Sequence, residues 1–328
     1  MKTKIKIITT IIVLASFAIF KVGATEYIFS TFSNTNNLTL NGNAFVTNTS
    51  DGYVIRLVNA QSFQSGSFFS SLPILATTYS ASFKFRLTNP GPANNTDPAG
   101  EIGGDGLAFV VQAVTNSIGG SGGGLGYKGI STSVDLEFDT WMNTNIDDPN
   151  SNHLGINTNG VIDHGLGAPF TLNMSPHFDD GNLWYAWVDY DGTNVQVSAN
   201  ETGIRPKTPY LSRPLNVVGL LGQTNAFVGF TAGTGGAFEN VDVISFDYRD
   251  NYNPIFTTNQ VPVSISLAAQ IAWLSDTNAH YQVQAASDLS TNTWIDLGAP
   301  IQGNGTTNYF FDAFGGNSQK FYRVMTRP

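Results

Sequence analysis

The chain has 328 residues, of which 41% are hydrophobic and 12% are charged, and it contains 34 glycines. Soluble domains carry about 25% charged residues, so the polar surface here comes mainly from Asn, Thr, Ser and Gly. The formal net charge of −9 argues against a protein that binds nucleic-acid phosphates. The absence of cysteine excludes disulfides, thiolate metal sites and cysteine nucleophiles.

The first 24 residues have the pattern of an export signal. Lys2, Lys4 and Lys6 precede an apolar run at 7–20, and small residues at 22–24 offer a cleavage site. The run is short for a membrane-spanning helix, and no later segment is apolar over a sufficient length. We therefore predict a signal peptide at 1–24 and a secreted protein with no membrane segment after cleavage. Export without cysteine favours a bacterial source.

From residue 25 onwards the pattern is almost entirely β. Alternating apolar segments recur between turn residues, and no segment shows the spacing and caps of an amphipathic helix. The strands predicted for the region 25–250 are 53–58, 79–87, 107–114, 134–138, 185–190, 194–198, 226–230 and 243–248. Two sheets packed face to face, as a sandwich or jelly roll, would bury one face of each strand.

The C-terminal part is predicted to form a separate small domain. A Pro- and Asn-rich stretch at 251–262 indicates a linker, and 263–328 has strands of its own. These are predicted at 263–273, 281–286, 294–297, 307–312 and 320–325. Segments around Tyr281, Trp294 and Tyr322 resemble the small fibronectin-III-like modules of secreted bacterial proteins. This resemblance implies a second, small β-sandwich that serves as a spacer or accessory module.

Acidic side chains are concentrated in the segment 133–157. Asp135, Glu137 and Asp139 alternate along a predicted strand, so all three point to one face, where they need protons, cations or solvent. The following loop adds Asn143, Asp147, Asp148 and His153. Carboxylate and amide oxygens suit Ca²⁺, and one imidazole beside them favours an oxygen-rich transition-metal site such as Mn²⁺. A solvated acidic loop without metal is the alternative.

The same segment resembles the metal-binding segment of the legume-type (L-type) lectins. In that family E-hydrophobic-D-T-aromatic-x-N is followed by D-P and then by H-I/L-G-I, and every element is present at 137–156 without a gap. Segments 104–109, 122–127 and 228–246 resemble further family motifs in the family order. The resemblance covers about residues 26–248. It implies a concanavalin-like jelly-roll sandwich and a carbohydrate-binding protein.

The resemblance also implies two bound ions. The residues that match the ligands of the transition metal, normally Mn²⁺, are Glu137, Asp139, Asp148 and His153. The residues that match the Ca²⁺ ligands are Asp139, Asn143, Asp148 and, through its carbonyl, Trp141. Asp139 and Asp148 would therefore serve both ions. Asp135 departs from the family pattern, where a small residue is usual, and it is either a partner of a ligand or exposed to solvent.

The sugar site implied by the resemblance binds the vicinal hydroxyls of a pyranose. Its matching residues are Asp105, Asn143, the backbone N–H of Gly123, and the ring of Trp141. The peptide bond before Asp105 is expected to be cis. The specificity loop at 234–240 has small residues where some members place an acid, so Gly236 and Ala237 offer backbone amides. Mannose or glucose is the default expectation.

Two functions of other classes remain open. A glycoside hydrolase or lyase on a similar jelly roll would use carboxylates about 5–5.5 Å apart, but carboxylates that bind metal are poor proton donors. The other open function is that of a structural adhesin that has lost sugar binding. A homodimer formed through the back sheet is left open. His164, His177 and the pair 179–180 are loop residues that we predict to be solvated, and a place at the edge of an extended site is the alternative.

Overall fold

The computed structural model describes residues 26–117, 122–162, 164, 170–255, 268–291, 293–313 and 320–327. The predicted signal peptide at 1–24 lies outside the described residues, as does the part of the predicted linker at 256–262. Within the described part of the chain, no helix has the length and apolar character needed to cross a membrane. The chain forms two compact units, 1–258 and 259–328.

The first unit is built from antiparallel strands that include all eight predicted ones. They are β1 Glu26–Phe29, β2 Leu38–Gly42, β3 Phe45–Thr49, β4 Gly52–Val58, β5 Ser65–Ser70, β6 Ile74–Leu75, β7 Tyr79–Gly91, β8 Gly106–Gln112, β9 Ser133–Asp139, β10 His153–Thr158, β11 Thr171–Asn173, β12 Trp184–Tyr190, β13 Asn194–Asn200, β14 Leu211–Pro214, β15 Asn225–Gly233 and β16 Phe238–Arg249. The alternation of apolar and polar residues thus predicted eight of these strands correctly.

These strands form two sheets, each with eight described strands. The back sheet has the order β14-β13-β12-β7-β16-β4-β3, with β1 also paired to β16. The front sheet has the order β11-β10-β9-β8-β15-β5-β2, with β6 also paired to β15. The centre of each sheet joins strands that are distant in sequence, as in a jelly roll, whereas β8, β9 and β10 are consecutive and lie side by side.

Aromatic rings from both sheets fill the space between them. Phe83 of the back sheet lies with its ring centroid 4.7 Å from that of Phe230, 5.5 Å from that of Phe138 and 5.9 Å from that of Phe109, all on the front sheet. All four residues are buried. Edge-to-face and offset ring pairs of this kind add to the free energy gained by burying apolar surface.

The first unit contains one helical turn that the sequence pattern does not predict, in addition to the strands that it did not predict, which are β1, β2, β3, β5, β6, β10, β11 and β14. Val217–Leu221 forms a single helical turn, α1, in which Asn216 accepts a hydrogen bond from Gly219 N at 2.8 Å. Gly222 ends the turn in the left-handed conformation. Five residues are too few to show helical periodicity, so the prediction that the chain has no helix was wrong at this position.

The second unit is also built only of strands in its described part. They are β17 Ala268–Leu274, β18 His280–Ala286, β19 Ile295–Asp296, β20 Ile301–Gln302, β21 Thr307–Ala313 and β22 Phe321–Arg327. β17 pairs with β21, while β18 pairs with β19, β20 and β22. The rings of Trp273 and Tyr281 are 5.9 Å apart, and the Arg323 guanidinium lies 4.3 Å from the Trp294 ring.

Candidate functional site

The acidic segment lies at the end of the β9–β10 pair. His153 is opposite Asp139 in the strand register, and Gly155 is opposite Glu137. A Cβ atom at Gly155 would collide with Glu137 Oε1, so only glycine leaves room for that carboxylate. The loop 140–152 connects the two strands and brings Asp148 back beside them. Cross-strand pairing thus places ligand-type side chains next to each other.

At one end of the site, two imidazoles face two carboxylates. His153 Nε2 lies 3.4 Å from Glu137 Oε1. His164 Nε2 lies 3.0 Å from the same oxygen and 3.3 Å from Asp148 Oδ1. The His153 and His164 rings are 5.2 Å apart and nearly perpendicular. These atoms form the nitrogen-rich end of the site.

The position of His164 corrects a prediction. The side chain was expected to be solvated, but it is only 6% exposed and lies against the predicted metal ligands. His164 follows His153 by eleven residues and lies outside the recognised motif, so no spacing rule connects the two. Only the folded structure brings them together.

The charges at this end are strongly coupled. Burial lowers the pKa of His164, but the carboxylates of Asp148 and Glu137 outweigh burial and raise it to about 10. Burial raises the pKa of Glu137, whereas His153 and His164 lower it, and the net shift is downward. The carboxylates therefore strongly favour a positive charge between them.

The other end of the site is rich in oxygen. Asp139 Oδ1 accepts a hydrogen bond from Trp141 N at 2.8 Å, and Asp148 Oδ2 accepts one from Asn143 N at 2.6 Å. The amide of Asn143 donates to the carbonyl of Trp141 at 3.4 Å. Burial, followed by the charges of Asp148 and Glu137, raises the pKa of Asp139 well above its ordinary value. These four residues are the predicted Ca²⁺ ligands, and the structure brings them together.

Asp105 lies next to this oxygen-rich end. The predicted cis peptide bond before Asp105 is present. Burial raises the pKa of Asp105 to about 7, against the opposing effects of the Asn143 side chain and the Gly235 backbone. The Oδ2 atom of Asp105 is buried and has no hydrogen-bond partner in the described part of the chain. A carboxylate oxygen in this state is available to a ligand.

Glycine backbone surrounds Asp105 and Asn143. A Cβ atom at Gly123 would lie 2.7 Å from both terminal atoms of the Asn143 amide, and one at Gly235 would lie 3.6 Å from Asp105 Oδ2. Gly122 and Gly235 also approach each other, because Gly122 N donates to Thr234 O at 3.0 Å. Glycine backbone therefore lies against both the Asp105 carboxylate and the Asn143 amide.

The remaining predicted residues have different surroundings. Ala237 is buried, with its Cβ 3.3 Å from where a Cβ of Gly104 would lie, and Gly236 lies beside Asn95. His177 is 40% exposed, as predicted. Asp179 is not solvated, since its side chain is only 10% exposed and burial raises its pKa to about 6. The prediction for Asp179 was therefore wrong.

Two residues hold Glu137 and the strand behind it. Tyr127 donates to Glu137 Oε2 and accepts from Asn157 Nδ2 at 2.8 Å, so one carboxylate oxygen is held while Oε1 faces the imidazoles. Asp135 is fully buried and accepts hydrogen bonds from Ser133 Oγ at 2.8 Å and Gly160 N at 3.0 Å. Of the two interpretations of Asp135, exposure to solvent is wrong.

We expect the replacement Asp135→Asn to reduce the pH dependence of stability. Burial raises the pKa of Asp135 to about 7, although Ser133 and Gly160 lower it. The folded state therefore retains a proton on Asp135 that the unfolded state releases near pH 4. The stability that this protonated form contributes is lost as the pH rises from about 4 to about 7. In chelator, the melting temperature should fall less between about pH 5 and pH 8 in the variant than in the wild type. Parallel profiles would contradict the ionisation of Asp135.

The arrangement fits two cations. Glu137 Oε1, Asp148 Oδ1 and His153 Nε2 are buried and make no hydrogen bond to any described residue. Ligand atoms of Glu137, His153 and His164 lie within 4.8 Å of one another, as do those of Asp139, Asp148 and His153. Buried carboxylates at this density are stable only when positive charge compensates them. The donor sets suit a transition metal at the histidine end and Ca²⁺ at the oxygen-rich end.

Comparison with known proteins agrees with this geometry. A family model described as the legume lectin domain matches residues 24–262, which is more than half of the chain. The chain belongs to the legume lectin family. The predicted resemblance to L-type lectins is thereby confirmed, and the fold and family of this lectin are those of carbohydrate-binding proteins.

The curated relatives of this lectin are plant receptor kinases. L-type lectin-domain containing receptor kinase VIII.1 of Arabidopsis thaliana is 36% identical over 229 residues, which cover 66% of this chain and 30% of the relative. Probable L-type lectin-domain containing receptor kinase VII.2 of the same plant is 28% identical over 265 residues, covering 73% and 37%. The lectin therefore spans about a third of the length of these relatives.

Solved structures show the same fold. Peanut lectin with a nine-residue peptide matches with a TM-score of 0.54 and 23% identity, covering 69% of this chain and 97% of that one. Basic winged bean lectin with Tn-antigen matches with a TM-score of 0.56 and 23% identity, covering 69% and 98%. The predicted all-β, concanavalin-like jelly roll is confirmed.

Proposed function

We propose that this lectin is a secreted, metal-dependent and non-catalytic carbohydrate-binding protein that recognises vicinal hydroxyls of a pyranose. The observation that carries the proposal is the unpartnered Asp105 Oδ2 beside the Asn143 amide and the backbone of Gly123. Sugar hydroxyls both donate and accept, and a carboxylate next to an amide satisfies both roles. Hydrogen bonds to an ionised carboxylate are the stronger ones.

Trp141 contributes apolar surface to this site. Its side chain is half-buried, and its Cβ and ring lie 3.4 Å from where a Cβ of Gly104 would be. A partly exposed indole next to Asp105 offers a flat surface for the C–H face of a pyranose. The backbone amides of Gly236 and Ala237 complete the proposed site. A loop without a contacting acid leaves mannose- and glucose-type sugars as the default specificity.

The ions have a structural role in this proposal. Ca²⁺ would be held by Asp139, Asn143, Asp148 and the Trp141 carbonyl, and it would supply the positive charge that these buried oxygens require. Asp139 ends β9, and the other three residues belong to the loop that carries Trp141 and Asn143, so their positions determine the shape of the sugar site. Glu137 and Asp139 would be ligands of the ions, and carboxylates that bind metal are poor proton donors in a hydrolase.

Sugar must pass the glycine segments to reach Asp105. Gly235 lies against the carboxylate, and the hydrogen bond between Gly122 N and Thr234 O joins its segment to that of Gly122. We infer that the ligand takes over hydrogen bonds that the segments make to each other in the sugar-free protein.

The rest of the chain suits an extracellular role. We propose that the signal peptide at 1–24 directs export, with 25–250 as the lectin domain and 251–262 as a linker. The module at 263–328 would be a fibronectin-III-like spacer, and a homodimer through the back sheet would increase avidity for glycans on a surface. No role is proposed for nucleic acid or membrane.

The test is a glycan-array measurement on the exported protein with Ca²⁺ and Mn²⁺, repeated after chelation. We expect mannose- or glucose-type glycans to be bound only with metal. Asp105→Asn should reduce this binding at least about tenfold, since it removes a charge-assisted hydrogen bond worth about 1.5–3 kcal/mol. Asp180→Asn is the matched control, because Asp180 is exposed and its side chain bonds Asn182 in its own turn.

Two results would contradict the proposal. A metal-replete wild type that binds no glycan would favour a structural adhesin. If the wild type releases sugar from polysaccharides and the Asp105→Asn variant does not, the hydrolase or lyase alternative is favoured.

A further inference from the structure

We propose that His164 is a ligand of the transition metal and that this second imidazole shifts the site from manganese towards zinc. The inference rests on the proposed function only in requiring that the site binds a metal. It concerns a residue outside the predicted ligand set, which contains the single imidazole of His153.

The geometry supports this role. His164 Nε2 lies 3.0 Å from Glu137 Oε1 and 3.3 Å from Asp148 Oδ1, which are two of the predicted ligand atoms. Its ring is nearly perpendicular to that of His153 at 5.2 Å, so the two nitrogens approach the same carboxylate from different directions. The ligand atoms of Glu137, His153 and His164 all lie within 4.8 Å of one another. Such a group can converge on one ion.

The surroundings of His153 are those of a metal ligand. Its Nδ1 lies 3.1 Å from the Asn150 carbonyl, which leaves Nε2 directed to the carboxylates and without a hydrogen bond to any described residue. Metal-bound histidines usually donate their other ring N–H to a carbonyl or carboxylate in this way. The side chains of His153 and His164 are 0% and 6% exposed, so both imidazoles are largely shielded from bulk water.

The chemistry of the donor set decides the choice of metal. Carboxylates, carbonyls and water suit Mn²⁺ and Ca²⁺, whereas imidazole suits Zn²⁺, Ni²⁺ and Cu²⁺. With His164, the predicted set of Glu137, Asp139, Asp148 and His153 has two imidazoles, and imidazole and carboxylate are both ligands that Zn²⁺ takes in proteins. A site with one imidazole is less selective, and loss of His164 should therefore lower the preference for Zn²⁺ over Mn²⁺.

A different role for His164 would overturn the proposal. As an imidazolium, His164 would itself neutralise Glu137 and Asp148, and the chain would bind Ca²⁺ without a second ion. The two roles predict opposite results, because a ligand increases metal binding whereas a built-in cation prevents it. A variant without His164 separates them.

The experiment uses the full exported chain. After chelation it is equilibrated with excess Ca²⁺ and an equimolar mixture of Zn²⁺ and Mn²⁺, and the bound metals are measured by mass spectrometry and competition titration. We expect about one Zn²⁺ per chain in the wild type. His164→Gln should lower the Zn²⁺ affinity at least about tenfold and lower the Zn²⁺ to Mn²⁺ ratio. His280→Ala, an exposed histidine of the second unit, is the matched control.

A spectroscopic measurement covers the case in which the affinities are hard to measure. In the Co²⁺-loaded wild type, proton NMR should show hyperfine-shifted imidazole signals from two histidines, and in His164→Gln from one. One set of signals in the wild type, or a variant that binds a second ion more tightly than the wild type, would overturn the proposal. Glycan binding that persists in either case leaves the proposed function intact, so the two failures are distinguishable.

Discussion

The replacement Asp148→Asn is expected to abolish binding of both ions and, with them, binding of glycan. Asp148 Oδ1 lies 3.3 Å from His164 Nε2, and Oδ2 accepts a hydrogen bond from Asn143 N, so this side chain reaches both ends of the site. With ions at about a hundred times their Kd, the wild type gains about 2.7 kcal/mol of stability per ion. The variant should show no metal-dependent rise in melting temperature.

Asp147→Asn is the matched control for this prediction. Asp147 is the preceding residue, is exposed, and has a φ of 56°, a left-handed conformation that asparagine also adopts readily. It should bind metal and glycan as the wild type does. A metal-dependent rise in the melting temperature of Asp148→Asn that equals the wild-type rise would show that Asp148 is not a shared ligand.

The replacement Phe83→Ala is expected to lower the free energy of unfolding by about 3–5 kcal/mol. Phe83 is buried between the sheets and contacts aromatic rings of three front-sheet strands, so truncation leaves a cavity that rigid strands cannot close. Chemical denaturation in chelator measures this loss without a contribution from metal binding.

Phe63→Ala provides the comparison for Phe83. Phe63 is 77% exposed and lies outside the core, so its truncation should change the stability by less than about 0.5 kcal/mol. Equal effects of the two replacements would contradict the assignment of the aromatic cluster as the main core.

The fold was predictable because each strand of a sandwich buries one face, and apolar residues therefore alternate with polar residues along its sequence. Residues such as Ala81, Phe83, Phe85 and Leu87 alternate with polar neighbours, and burial of one face leaves little choice of register. The short helix at 217–221 was not predicted because a single turn is too short to show the helical spacing of apolar residues. The signal peptide and the identity of the small module remain predictions.

The candidate site was predictable as far as its motif is continuous. Glu137, Asp139, Asn143, Asp148 and His153 lie within seventeen residues, and cross-strand pairing converts that spacing into a cluster. His164 and Tyr127 escaped prediction because each reaches Glu137 from a separate loop, and tertiary contacts of this kind have no sequence period. The burial of Asp179 was missed and that of Asp135 was left open, because the sequence does not show which other segments cover a side chain.

The shared position of Asp148 also couples the two ends of the site. When one side chain contacts both ions, occupation of the histidine end changes the affinity of the oxygen-rich end, and by thermodynamic reciprocity the reverse effect has the same size. The sugar site lies beyond the oxygen-rich end and is the third member of this series. Glycan bound at the proposed site of Asp105 and Asn143 should therefore raise the affinity for a metal ion at His153 and His164, which it never contacts.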